Sequence, residues 1–164
     1  MARIETKLAE RGLTLPQPLV LPPGVALPFP EVNLRGNRAY VSGAGPLNDD
    51  GSLAGPFGKV GVDVSVEDAA ALAQKTGLAI LAGLKRELGD LDRITGWCRV
   101  FGMVNCDPGF QQQPAVINGF SHLILDLFGP EVGRHARSAV GMAALPMRIA
   151  VEIEAELEIA PAVA

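Results

Sequence analysis

A chain of 164 residues that is 48% apolar and only 20% charged can bury a substantial core, and it reads as one compact unit over residues 1–164, with residues 1–28 as an N-terminal helix and Pro-rich arm. A net charge of -4 and a pI of about 5.2 argue against a broad basic face for nucleic-acid phosphates, and one Trp, one Tyr and six Phe leave few platforms for stacking bases. No apolar run approaches the ~18 residues of a membrane span, and residues 1–12 lack the apolar centre of a signal peptide, so a cytoplasmic protein with no membrane partner is expected.

Residues 4–11 suit a short amphipathic helix. Pro16, Pro18, Pro22, Pro23, Pro28 and Pro30 then remove backbone donors and fix φ, so an extended arm lying on the domain should follow. The segment RAYVSG, residues 38–43, is bracketed by Gly36-Asn37 and Gly43 and reads as a strand leaving a turn; a loop rich in Gly and Asp continues to about residue 63. Ser65 followed by Asp68 has the form of a capping box and should open a long helix. Ala69, Leu72, Ala73, Thr76, Ile80, Leu84 and Leu88 stripe one face of that helix, and Gly89 supplies its stop. Residues 94–104 form the next strand, with Gly96 and Gly102 as points for bulges, and Asp107-Pro108-Gly109 is a turn. From about Gln112, the positions Val116, Ile117, Phe120, Leu123, Ile124 and Leu127 return to helical spacing until Gly129-Pro130 ends the run.

Two closing segments, 138–144 and 148–159, are separated by Leu145-Pro146-Met147. The later one alternates with period two: Ile149, Val151, Ile153, Ala155, Leu157 and Ile159 face one way, and Arg148, Glu152, Glu154, Glu156 and Glu158 the other. Residues 137–158 are therefore expected to be a two-stranded antiparallel element that fixes Arg137 at its entry. The order strand, helix, strand, helix, strand, strand predicts an α+β fold, a mixed sheet with helices over one face.

Chemistry is carried by few residues. A guanidinium presents parallel donors that match a carboxylate, so Arg137 on a rigid strand suits an anchor; the plainer reading, which composition favours, is a surface Arg paired with a nearby glutamate. The glutamate row reads as a solvated face, from which periodicity singles out no member. His135 beside Arg137 could act as a base but is expected to be exposed, and His122 to be structural. Gly43-Ala44-Gly45 allows close approach of backbone amides to an anion, although a turn explains it equally and no phosphate-loop pattern is present. Cys98 and Cys106 have neither metal-ligand nor redox spacing and are expected to be buried thiols, with no metal site.

Arg137-Ser138-Ala139-Val140, Leu145-Pro146 and Val151-Glu152-Ile153-Glu154-Ala155 together resemble the Rid family, also called the YjgF or L-PSP endoribonuclease family, whose signature is an ARS strand, an LP turn and a final (V/I)E(I/V)EA strand. Fifteen positions separate Arg137 from Glu152, as in that pattern. Tyr40-Val41-Ser42-Gly43 resembles the family's early strand and Ile117-Asn118 its V-N pair on the second helix. The likeness runs over residues 29–159.

The resemblance implies a chorismate-mutase-like α+β fold, with two main helices packed on one face of the sheet, assembled as a homotrimer with clefts between subunits. It further implies hydrolytic deamination of reactive enamines or imines to 2-oxo acids and ammonia, with a small carboxylate-bearing metabolite as partner and without metal or organic cofactor. By motif position, Arg137 would grip the substrate carboxylate and Glu152 would position water, while Phe29, Ser42, Gly43, Asn118 and Ala139 would contact substrate. Ala139 replaces the Cys usual in the family, Ala44 the Gln common after SG, and Phe29 a Tyr. Together with a longer segment between Phe110 and Asn118, these point to a divergent, longer branch with a different substrate. A metabolite-binding trimer without turnover is the alternative. Ribonuclease activity is disfavoured by the acidic composition and the lack of an evident acid and base pair.

Overall fold

A computed structural model describes residues 3–161. The elements are α1 (Arg3–Glu10), β1 (Val32–Arg35), β2 (Arg38–Ala44), α2 (Val66–Leu88), β3 (Ile94–Asn105), α3 (Gln113–Val132), β4 (Ala136–Met142) and β5 (Val151–Ile159), with 3-10 turns at Leu91–Arg93 and Pro146–Arg148. The strands form one mixed sheet in the order β1-β2-β5-β3-β4, in which only β3 and β4 run parallel. The α+β expectation holds, and α2 and α3 share one core with a single face of that sheet.

One expectation fails. β4 and β5 are not an antiparallel pair, because β3 lies between them. The reason is burial: Val151, Ile153 and Leu157 of β5 are fully buried, whereas no residue of β4 is, so β5 gains more from a central position and β4 takes the edge. β1 is a strand that the sequence pattern does not signal; it forms a hairpin with β2 across Gly36-Asn37, where Gly36 supplies a φ of 57°.

Local signals set the helix boundaries. The Ser65 side chain accepts from the Asp68 amide at 3.0 Å, and Gly89, at φ 77°, returns its N–H to the Lys85 carbonyl at 2.9 Å. Regular α3 ends at Gly129, whose φ of 78° and ψ of 174° break the helix ahead of Pro130. The two helices approach closely at Gly119, where a Cβ would overlap the Ala70 carbonyl. Gly96 adjoins a register shift in β3, but Gly102 sits in register and its missing side chain accommodates Ile117 of α3.

α1 buries Ile4 and Leu8, and Lys7 Nζ donates to the Leu127 carbonyl at 2.6 Å. The Pro-rich arm then runs along the loop after β2, through Gln17 N–H to Asp49 O and Val20 N–H to Gly51 O, each 3.0 Å. On the sheet face away from the helices, Met103, Leu145 and Ile149 bury a second, smaller apolar cluster against Leu53, Phe101, Val140 and Met142. Both cysteines are free; Cys106 is buried, but Cys98 is only partly so and accepts from Arg38 Nη1 at 3.1 Å. Among the described residues no helix is long and apolar enough to cross a membrane.

Candidate functional site

The residues singled out from the sequence gather in two places. Phe29, Ser42, Gly43 and Glu152 line one cavity of ≈ 270 Å³. Arg137 and Asn118 meet elsewhere, where β4 packs on α3, with Ala139 two residues along β4 on the same face. Register explains the separation. Arg137 pairs with Val100, which belongs to the core under the helices, whereas Glu152 pairs with Met103, which belongs to the cluster on the opposite face. Side chains three positions apart on β3 point to opposite faces, so within one chain the guanidinium and the carboxylate diverge.

Arg137 is half-buried and held by neutral oxygens only. Its Nη1 donates to Asn118 Oδ1 at 2.9 Å and to Ser121 Oγ at 3.1 Å, and its Nη2 approaches the Pro114 carbonyl at 3.5 Å. Asn118 and Ser121 are three residues apart on α3 and so share one helix face. No carboxylate among the described residues lies within ion-pair distance of it, so the expected surface pairing with a glutamate does not occur. Burial lowers its pKa from the ordinary arginine value, which still leaves it charged at neutral pH.

His135 is not the exposed histidine expected. Its Nδ1 lies 2.7 Å from the Gly133 carbonyl, which can only accept, so in the neutral ring the proton sits on Nδ1. Nε2 then accepts from Ser121 Oγ at 2.9 Å, and the Ser121 oxygen remains free to accept from Arg137. The chain Arg137, Ser121, His135, Gly133 O thus has one consistent donor direction. Burial lowers the His135 pKa, opposed by the Gly133 hydrogen bond and assisted by the nearby Arg137 charge. Sequence patterning misses Ser121 and this use of His135; the signal it does contain is the helical spacing of Ser121 from Asn118. His122, expected to be structural, lies exposed on α3.

Around Glu152 the governing feature is a bulge. Val41 pairs with Ala155 and Ala44 with Ile153, so Ser42 and Gly43 together oppose the single residue Glu154. The Glu152 carboxylate lies against Gly43, where any Cβ would overlap it. Ser42 is fixed by its N–H to the Glu31 carbonyl at 2.9 Å and its Oγ to the Pro30 carbonyl at 2.8 Å. Burial, and secondarily the Glu154 charge, raise the Glu152 pKa above the ordinary carboxylate value. The cavity is closed on one side by the turn between β4 and β5, where Met147 and Arg148 adopt left-handed φ of 53° and 58°. No group of three or more His, Cys, Asp or Glu among the described residues could hold a metal ion.

Residues 5–156 match the family described as YjgF/chorismate mutase-like, putative endoribonuclease. Protein TCP17 of Trypanosoma cruzi is 42% identical over 124 residues, 76% of either chain. Among solved structures, the protein Atu1372 of Agrobacterium tumefaciens, described as of unknown function, is 41% identical with a TM-score of 0.84, covering 96% of this chain and 92% of its own. A protein of Shewanella oneidensis described as a putative endoribonuclease is 27% identical, also with a TM-score of 0.84, over 95% of this chain and 99% of its own. On this breadth of agreement the chain belongs to the YjgF/Rid family.

Proposed function

We propose that this protein hydrolyses a reactive imine or enamine of a carboxylate-bearing metabolite to a 2-oxo acid and ammonia, in clefts between the subunits of a homotrimer. The observation that carries the reading is the state of Arg137: a half-buried cation, oriented by three neutral acceptors, with no anion among the described residues of its own chain to balance it. A charge in that condition is costly unless an anion completes it, and a guanidinium best matches a carboxylate. Glu152 is in the converse condition, half-buried and in no ion pair among the described residues. Because the two diverge within one chain, a cleft between neighbouring copies is the arrangement that lets both act on one substrate.

In such a cleft Arg137 holds the carboxylate and so fixes the adjacent C=N carbon. Water adds to that carbon, with the π electrons passing to nitrogen. The resulting carbinolamine loses its hydroxyl proton as the C–N bond breaks, which forms the C=O bond and releases ammonia. Glu152, its pKa raised by burial and by the Glu154 charge, is suited to orient the water and relay these protons. A protonated imine is already a strong electrophile, so fixing substrate and water supplies much of the rate without a powerful nucleophile. The test is ammonia release from imines generated in situ by an amino-acid oxidase. Wild type should accelerate release over the spontaneous rate and Arg137→Ala should remove most of that acceleration; equal rates for the two proteins would sink the assignment.

A further inference from the structure

The cavity beside Glu152 has an apolar side that the proposed reaction does not use. Its wall is mostly apolar, with Leu19 and Leu27 from the arm, Phe29 just after it, Leu53 from the loop after β2, Ile80 from α2 and Met147 from the turn before β5. Three charged residues border it, and two of them, Glu31 and Arg86, neutralise each other in an ion pair. Glu152 is the charge that remains. The space exists because small residues face it: Gly43, Ala44, Gly45, Ala79 and Gly83 all lie in its lining. At ≈ 270 Å³ it falls just under the usual range for small-molecule sites, about 300–1,000 Å³.

The arm gives the wall its apolar character on the outer side. Leu27 and Phe29 are 41% and 52% exposed at the outer edge of this wall. The arm is anchored through Gln17 and Val20 to the loop at Asp49 and Gly51, and a Cβ at Gly51 would overlap the Pro18 carbonyl, so the two backbones are as close as side-chain-free contact permits.

We propose that this cavity receives a bulky apolar side chain, so that the substrate class is the imine of a branched-chain or aromatic amino acid and not that of alanine or serine. The inference rests on the proposed cleft for the polar end of the ligand, where Arg137 takes the carboxylate; the cavity takes the other end. Each methylene it buries adds about fourfold in affinity.

Binding of two oxo acids, 4-methyl-2-oxopentanoate and pyruvate, to the full-length protein separates this claim from the deaminase claim, because binding requires no turnover. The expected result is at least tenfold tighter binding of the larger acid by calorimetry. Leu19→Ala combined with Leu27→Ala should lower that ratio severalfold by opening the outer wall. Ala79→Leu should lower it by filling the space. Both are changes at partly exposed or cavity-facing positions that circular dichroism can show to be folded. Equal affinity for the two acids, or no binding of either, overturns the inference. If the larger acid binds preferentially while imines are not hydrolysed, deamination fails and the apolar ligand class stands. If imines are hydrolysed without regard to side chain, the converse holds.

Discussion

Arg137 depends on its fork of donors as well as its charge. Nη1 is committed to Asn118 and Ser121 and Nη2 approaches the Pro114 carbonyl, which sets the plane of the guanidinium; in the proposed cleft the remaining donors meet a carboxylate. Lysine keeps the charge but offers no fork and cannot be held in plane. Arg137→Lys is therefore expected to lower kcat/KM for imine hydrolysis by about tenfold or more, chiefly through KM, since a lost bidentate contact weakens substrate and transition state alike. His135 stands behind the same group. Its folded pKa is lowered, so as pH falls below the 6.5 of a free imidazole the unfolded chain takes up protons that the folded one resists. Stability from this residue is complete above that value and is lost as pH falls toward the folded pKa. Protonation would also place a second cation beside Arg137 and reverse the donor direction through Ser121. His135→Gln should flatten the fall in melting temperature between neutral pH and about pH 5, a window measured by thermal denaturation across pH. An unchanged slope would mean that His135 charges freely in the fold.

At the scale of elements, what could be read from the sequence was whatever a short stretch decides for itself. Ser65 and Gly89 cap α2, Gly129-Pro130 ends α3, and the alternation of β5 sorts its buried and open faces, all through contacts within a few residues. What could not be read was partnership. β1 is four residues, VNLR, next to a Pro-rich arm, and it exists because β2 offers it an edge. β4 and β5 follow each other in sequence with a turn signal between them, yet the pairing that wins joins each to β3, and nothing local reports that competition. The close crossing of α2 and α3 is likewise invisible until Gly119 is seen against the Ala70 carbonyl. Gly119→Ala forces backbone apart and is expected to cost on the order of 1–3 kcal/mol despite alanine's better helix propensity. Denaturant unfolding should show the loss as a lower midpoint with little change in slope.

For the whole molecule, motif spacing singles out Arg137 and Glu152, and the residue physics of the sequence does not. Composition favours an ion-paired surface arginine, and alternation treats the glutamates as equivalent. Only the ladder register, with Val100 beside Arg137 and Met103 beside Glu152, reveals that the two face apart and that each is left without a counter-charge among the described residues. Both residues are present in every chain, but their side chains leave the sheet on opposite faces.

That divergence makes the proposed activity a property shared between chains, and genetics in a test tube can read it. Arg137→Ala chains keep an intact Glu152 half and Glu152→Ala chains an intact Arg137 half. Each protein alone should be nearly inactive. Unfolded together and refolded as a mixture, they can pair the two sound halves across a boundary, and random assembly in a ring would restore about a quarter of the clefts. Recovery to that level by subunit complementation would mark the reacting unit as the junction between two copies. A mixture as inactive as its components would return the chemistry, if any, to the single chain.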